Sequence, residues 1–598
     1  MIKERIEALR REMSQWGWDV AITVGEDPHN SEYTPSRWSQ RQFISGFTGS
    51  AGVVTVTKDH AGLWTDSRYW IQAEKELQGS GIGLHRMVSV EDCDWMHWIA
   101  ENIPQGGTVG VDGLCFSMGN ASALKKMLKA KDARLVSKPD FLEALWSDRP
   151  GLPEEPVWIH HDCFAGRSSK DKIGWLRKTL AEKGCTHMFI SCLDQIAWLL
   201  NIRSADIEYC PMVISFALVG PERIELFALE SKFCPEIRSQ LETDGIFLHP
   251  YSDVGGFIAG YRAEGRILID ADSLNYETGQ ALEQAFGIES MVNEQSPIDL
   301  EKSIKNQVEI EGFRKAYIQD GIAQTRFFMW LEQEVSAGRR ITESDASDHL
   351  HELRAMNPDF IDESFETISA YGTNAAIVHY STVRGRDAVI EPHGLYMNDS
   401  GAHYSYGTTD ITRTMPMGPL TALEREDYTI DLMAMIELGM AIFPAGTPGG
   451  RLDAVARRPL WQAMRNFGHG TGHGVGNVLS VHEGPQTIRQ NLKPQPLVPG
   501  MITSDEPGIY REGFHGVRHE NMILCRQEAE NEFGTWLSFE TLTRTYIDTT
   551  PLLTDMMSPQ QIQWLNDFNA TVYRDISPYL TAVEAKWLEG KTRAVQRQ

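Results

Sequence analysis

Residues 394–415 read GLYMNDSGAHYSYGTTDITRTM, two strand-like runs joined by a turn around Tyr406-Gly407-Thr408, and this hairpin pattern decides how the rest of the chain is read. Asp399 and Asp410 lie 11 residues apart, one on each run. Aspartate is disfavoured in strands, so one in the middle of each of two paired strands needs a compensating partner. Facing carboxylates repel unless a cation sits between them. Asp410 has other outlets, the threonines of its own run and Arg413, and at this point metal and structure weigh evenly.

Three downstream motifs shift that balance. In GHGTGHGVGN, residues 468–477, His469 and His473 stand four apart among five glycines. The spacing would suit a zinc pair on a helix, but glycines at that density make a helix improbable, so at most one histidine is expected to ligate. A phosphate loop fails as the rival, because no lysine and no Walker pattern follows. In MITSDEPGIY, Glu506 precedes Pro507, and the pre-proline restriction holds it extended at the end of a strand. In GVRHENMIL, Glu520 interrupts a strand-like run, and by itself a buried ion pair with Arg518 is the simpler reading. Taken together, four carboxylates and a histidine within 122 residues describe an oxygen-rich site for two divalent cations, whose charge they cancel. Carboxylate-rich ligation favours Mn²⁺ over Zn²⁺, with Co²⁺ and Fe²⁺ open.

Upstream, the chain alternates helix and strand. Ile2, Ile6, Leu9, Met13 and Trp16 recur at helical spacing, which predicts an amphipathic helix packed on a domain and not the apolar core of a signal segment. Strands are expected at 19–24, 52–57, 186–191 and 212–219, with helices from about Tyr69 and over 170–183 and 193–200. The linker-like SDRPGLP, residues 147–153, separates two such α/β units of similar length, which suggests a duplicated fold. A long helix is expected from about Gln307, and Thr342 with Asp345 forms the start of the next. With 598 residues the chain is too long for one core. Its 82 acidic against 56 basic residues, a net charge of -26, argue against a nucleic-acid or anionic-membrane partner. No run approaches a membrane span. The eight cysteines are scattered with no CxxC pair, as in a protein of a reducing compartment.

At these residues the chain resembles the pita-bread metallopeptidases, specifically the long, three-domain aminopeptidase P (Xaa-Pro aminopeptidase) group. The motifs are DSGA with TTDITRT, HGTGHGVG followed by VHEGP, DEPG and HEN. SEYTPSRWSQRQFISGFTGSAG, WTDSRYW, LDQIAWLLNIRSADIEYCPMVISFALV and WLSFETLTRTYID extend the likeness over nearly the whole chain. The resemblance implies two creatinase-like α/β domains at 1–147 and 148–305, a pita-bread catalytic domain at 306–527 and a C-terminal extension at 528–598. It places five ligands for two divalent ions on Asp399, Asp410, His473, Glu506 and Glu520. It also implies that His379, His469 and His482 line the substrate site. Tyr406, where the group usually has an acidic residue, and Arg-His before Glu520 depart from the pattern without replacing a ligand.

The expected activity is release of the N-terminal residue from peptides with proline second, by attack of a metal-bridging water. Glu506 acts as general base then acid, and His379 and His482 stabilise the oxyanion. A homodimer is implied by resemblance only, and a cytoplasmic setting is expected from the scattered cysteines. A prolidase is the alternative enzyme, against which the extra N-terminal domain and long tail argue. A noncatalytic peptide-binding homologue is the alternative of another class, and an intact ligand set argues against both it and a creatinase-like hydrolase.

Overall fold

A computed structural model describes residues 2–87, 93–262, 264–491 and 493–597. The chain divides into two compact units, residues 1–160 with 167–299, and residues 161–166 with 300–598.

The first unit holds two six-stranded mixed sheets. One is ordered Gly83–Arg86, Ala61–Thr65, Val53–Thr57, Val20–Thr23, Thr108–Val111, Arg134–Ser137. The other is ordered Ile246–Pro250, Ile224–Ala228, Ser215–Val219, His187–Ile190, Ile267–Ile269, Met291–Asn293. Taken in that order, neighbouring strands run parallel, antiparallel, antiparallel, parallel, parallel in both sheets. The duplicated α/β fold is thus one topology used twice. The helix Ile2–Trp16 buries Ile6, Leu9 and Met13, the face its spacing predicts. The apolar run from Met212 is buried, but its strand begins only at Ser215. The amide of Ile214 is engaged by the Asp206 carboxylate at 2.8 Å, which removes it from a sheet ladder.

The second unit packs antiparallel sheets against helices, the pita-bread arrangement. The helix Gln307–Ser336 starts at a capping box formed by Asn306 and Glu309, and Glu343–Ala355 starts at another formed by Thr342 and Asp345. Leu395, Tyr396 and Met415 join Phe327, Phe328, Leu432 and Ile436 in one large apolar core. A six-stranded sheet runs Phe443–Pro444, Gly534–Thr541, Asn521–Asn531, Ile502–Asp505, Gly472–Gly474, Glu483–Ile488. The strand Asn521–Asn531 pairs with Gly534–Thr541 from Ile523 onward, on both sides of a bulge between Gln527 and Ala529.

The hairpin at 394–415 forms, but split. Leu395–Ser400 pairs with Ile411–Pro416, placing Asp399 opposite Thr412. Beyond Gly401 the chain enters a second sheet, where His403 faces Thr408. Asp410 is therefore not in the middle of a strand, as the sequence suggested, but in the break before Ile411. A Cβ on Gly401 would stand 2.0 Å from the Thr409 carbonyl oxygen, so only glycine lets the two limbs pass this closely. Among the described residues no helix is long and apolar enough to cross a membrane.

Candidate metal centre and its supports

Each expected ligand sits on a short strand or where one ends or breaks. Asp399 is the penultimate residue of Leu395–Ser400, and Asp410 precedes Ile411–Pro416. His473 is central in Gly472–Gly474, Glu506 follows Ile502–Asp505, and Glu520 falls between His515–Arg518 and Asn521–Asn531. The strand Ile502–Asp505 pairs with both Gly472–Gly474 and Asn521–Asn531, which carries three ligands to one place. The Glu520 amide donates to the Thr412 carbonyl at 3.1 Å and ties that sheet to the split hairpin. A Cβ on Gly472 would stand 2.1 Å from the Ser504 carbonyl oxygen, so this glycine too is required by close approach.

Asp410, His473 and Glu520 each offer a ligand atom, all within 4.8 Å of one another. His473 Nε2 stands 3.4 Å from Asp410 Oδ2 and 3.4 Å from Glu506 Oε1. The other ring nitrogen, Nδ1, lies 2.9 Å from the Gly474 carbonyl, which can only accept, so Nδ1 carries the proton and the Nε2 lone pair of the neutral ring faces two carboxylates. Lone pair against carboxylate repels; a cation between them, or a proton on Nε2, resolves it. Burial alone would push His473 down, yet Asp410 and Glu506 raise it to about 9. Burial pushes Glu506 up to about 7, with repulsion from Asp410 and Asp399 adding to it against His473 and Arg518. Burial also drives Asp399 up, despite Arg518, and drives Glu520 well up, helped by Asp410, Glu506 and Asp399. Asp399 Oδ1 is buried with no hydrogen-bond partner. Carboxylates that raise one another's pKa, an orphaned oxygen and a histidine held in the ligating tautomer fit divalent cations.

Two alternative partners from the sequence do not form. Arg518 pairs with Asp399, not Glu520, donating from Nε to Oδ2 at 3.2 Å, while Glu520 accepts from Thr412 Oγ1 at 2.9 Å. Arg413 donates to the carbonyls of Thr545, Tyr546 and Glu520 and to Asn521, not to Asp410. Arg413 is buried, and the carbonyls of Thr545 and Tyr546 in the tail satisfy its guanidinium.

The three further histidines take distinct positions. The His482 ring packs edge-on to His473, centroids 4.3 Å apart at 88°. His469 donates from Nδ1 to the Gly470 carbonyl, leaving Nε2 to accept from Tyr510 OH at 2.8 Å. That hydroxyl accepts from Arg518 Nη1 at 2.6 Å, so one line of hydrogen bonds joins His469 to Asp399. His379 follows the turn Gly372–Ala376, and the carbonyl before it, Val378, accepts from Arg518 Nη2 at 3.3 Å.

Several supports were not singled out from sequence. Tyr317, on the long helix, accepts from the Asp410 amide at 3.2 Å. Asp431 accepts from both the amide and Nδ1 of His519, each at 2.9 Å, fixing the residue before Glu520. Tyr510, four residues after Glu506, was legible only as the end of the DEPGIY motif. Asp431 gave no signal, since an aspartate in an ordinary helical pattern reads as solvated.

Metallopeptidase family M24 matches residues 311–527, the Creatinase/Prolidase N-terminal domain matches 5–145 and 148–309, and the C-terminal region of peptidase M24 matches 535–595. Aminopeptidase P2 of Arabidopsis thaliana is 37% identical over 633 residues, covering 100% of this chain and 89% of its own. A Talaromyces marneffei protein, "Probable Xaa-Pro aminopeptidase P", is 38% identical over 608 residues, covering 99% and 92%. The chain belongs to metallopeptidase family M24, in its aminopeptidase P group. Among solved structures, the X-prolyl aminopeptidase of Caenorhabditis elegans, described as a cytosolic enzyme with a di-nuclear active site, superposes with a TM-score of 0.95 at 30% identity over 100% of both chains. The prolidase of Pyrococcus horikoshii covers 63% of this chain and 99% of its own, at a TM-score of 0.50 and 25% identity. More than a third of this chain thus lies outside the match to the prolidase, whereas the Caenorhabditis elegans aminopeptidase matches over the whole of both chains.

Proposed function

We propose that this M24 hydrolase removes the N-terminal residue from peptides whose second residue is proline, using two divalent ions held by Asp399, Asp410, His473, Glu506 and Glu520. The observation that carries the reading is His473 Nε2 at 3.4 Å from both Asp410 and Glu506, beside two more carboxylates that burial and mutual repulsion push up. When bound, such ions would supply Lewis acidity and lower the pKa of a water at the site. Glu506 takes the proton of the attacking water and delivers it to the proline nitrogen as the peptide bond breaks. His482 and His379 donate to the substrate carbonyl oxygen as negative charge develops there. His469, held by Tyr510, borders the pocket for the residue after the scissile bond. Proline has no N–H and a fixed φ, so a site that demands no donor there and offers a shaped apolar wall accepts it.

Within this proposal residues 306–527 carry the chemistry, 1–147 and 148–305 are noncatalytic domains, and 528–598 closes the fold. Mn²⁺ is the proposed ion, because four of the five donors are carboxylates. The eight free cysteines support a cytoplasmic setting. Met464, 94% exposed, and Phe514, 68% exposed, support a homodimer contact. Met464 adjoins Arg465 and Phe514 lies in the turn after Arg511, and both arginines donate to Asp427.

The test is turnover of an Xaa-Pro-Xaa tripeptide and an Xaa-Pro dipeptide by Mn²⁺-loaded enzyme. Rapid release of the first residue from the tripeptide supports the aminopeptidase; cleavage of the dipeptide alone turns the reading to prolidase. Asp410→Ala or Glu506→Ala should lower kcat by about 10²–10⁴-fold and lose bound metal. Full activity in either sinks the site assignment.

A further inference from the structure

The loop between the strands Ile368–Tyr371 and Leu395–Ser400 carries His379. It contains one short 3₁₀ turn, Gly372–Ala376, and no other helix or strand, so something outside it must fix its shape. One buried carboxylate meets it at four points. Glu343, at the first turn of the helix Glu343–Ala355, accepts at Oε1 from the Tyr371 amide at 2.6 Å and from Asn374 Nδ2 at 3.0 Å. At Oε2 it accepts from Tyr380 OH at 2.9 Å and from the Ala388 amide at 2.8 Å. Its own amide donates to the Ala388 carbonyl, and its carbonyl accepts from Ser369 Oγ at 2.7 Å. Tyr371 is the strand residue that leads into the loop, Ala388 lies in its second half, and Tyr380 follows His379 directly. Glu343 is fully buried and none of its partners is a cation. A carboxylate compensated only by donors is costly to bury unless every lone pair is used, and here the loop uses them.

We propose that Glu343 is the positioning residue of His379. It sets the path of residues 371–388 so that the imidazole meets the substrate carbonyl, and it touches neither substrate nor metal. The capping box of Thr342 and Asp345 fixes the helix start on which Glu343 stands, so the loop is referenced to a rigid element. The inference rests on the role given above to His379, and the experiment separates the two.

Glu343→Gln keeps the shape of the side chain but replaces one acceptor oxygen with an NH₂ group that faces donors. The variant, loaded with Mn²⁺, is assayed on an Xaa-Pro-Xaa tripeptide beside His379→Ala and the double variant. Expected is a fall in kcat of about 10–100-fold for Glu343→Gln, with KM within about 3-fold and metal content unchanged. In the His379→Ala background the same substitution should cost less than about 2-fold, because the two act as a unit. Hydrogen exchange supplies a second readout: the amides of Tyr371 and Ala388 should lose protection in Glu343→Gln. Equal cost in both backgrounds, or wild-type kcat in a folded Glu343→Gln, overturns the positioning role. Wild-type activity in His379→Ala overturns the role of His379 instead. Should Glu343→Gln not fold, Tyr380→Phe removes a single donor, and the same cycle against His379→Ala decides with the same criteria.

Discussion

The buried cluster of Lys302, Lys305 and Glu483 offers a measurement that reports on the loop carrying His482. Lys302 Nζ donates to Glu483 Oε2 at 2.7 Å, Lys305 pairs with Oε1, and all three side chains are 1% exposed. Lys305 also donates to the Lys302 carbonyl at 2.9 Å. Glu483→Gln removes the only carboxylate of the three and leaves two ammonium groups facing an amide. Breaking a buried pair costs ~3–5 kcal/mol, and the loss of both pairs at once puts this change at the upper end. The second unit has about 300 residues, so its unfolding entropy is ~0.6 kcal/mol per kelvin and the expected fall in Tm is roughly 8 °C. Calorimetry of the Mn²⁺-loaded proteins reads it. Lys302→Met should lose roughly half as much, because Lys305 keeps its partner. The triple variant Lys302→Met, Lys305→Met, Glu483→Leu should recover most of the loss, since apolar groups carry no desolvation cost. A Glu483→Gln protein that melts within about 1 °C of the parent, or a triple variant less stable than Glu483→Gln, refutes the reasoning.

Two further outcomes follow from the electrostatics. Burial pushes Asp427 up, but hydrogen bonds from His515, Arg511 and Arg465 more than offset it and hold the carboxylate well below its ordinary 3.8. A depressed folded pKa contributes stability that is full above the unfolded value and is lost as pH falls through the folded one. The Tm gap between parent and Asp427→Asn should therefore be constant from neutral pH down to about 5 and shrink below about 4; a gap that instead closes on raising the pH contradicts the network. Metal loading offers the other check: with His473 at about 9 and Glu506 at about 7 in the metal-free site, ion binding at pH 7 should expel at least one proton per chain. The release should fade as pH rises past about 9, and a pH-stat titration with no release at pH 7 would rule out His473 as a ligand.

Much of the site was legible because its chemistry is local in sequence. Asp399, His473, Glu506 and Glu520 each lie in a short motif whose glycine, proline or strand break announces an unusual backbone demand. Asp410 was located but misplaced, since the alternation of residues 395–416 reads as one continuous hairpin. The switch between two sheets at Gly401 depends on packing against the Thr409 carbonyl, which no pattern of polar and apolar residues encodes. The paired α/β units were visible as an echo in helix and strand lengths. Strand order was not, because it follows from which edges meet in space. The supports were the least legible: Tyr317, Glu343 and Asp431 sit on helices far along the chain from the residues they hold, and hydrogen bonds spanning 28 to 93 positions leave no local trace.

The twice-used topology of the first unit carries a folding hazard along with its economy. A chain that lays down the same strand order in two neighbouring sheets offers every strand a second berth of the right direction and length, and strand exchange between copies is a characteristic failure of such proteins. The defence lies in side-chain volume. Residues 53–57, VVTVT, present slim β-branched groups to a layer that receives Phe43 and Phe47 from elsewhere, whereas the matching strand 215–219, SFALV, brings its own Phe216 to a core that also holds Phe227. Exchanging these strands would crowd one core and hollow the other. Divergence between the copies thus acts as an address label, letting one architecture be assembled twice from a single chain without the halves being confused.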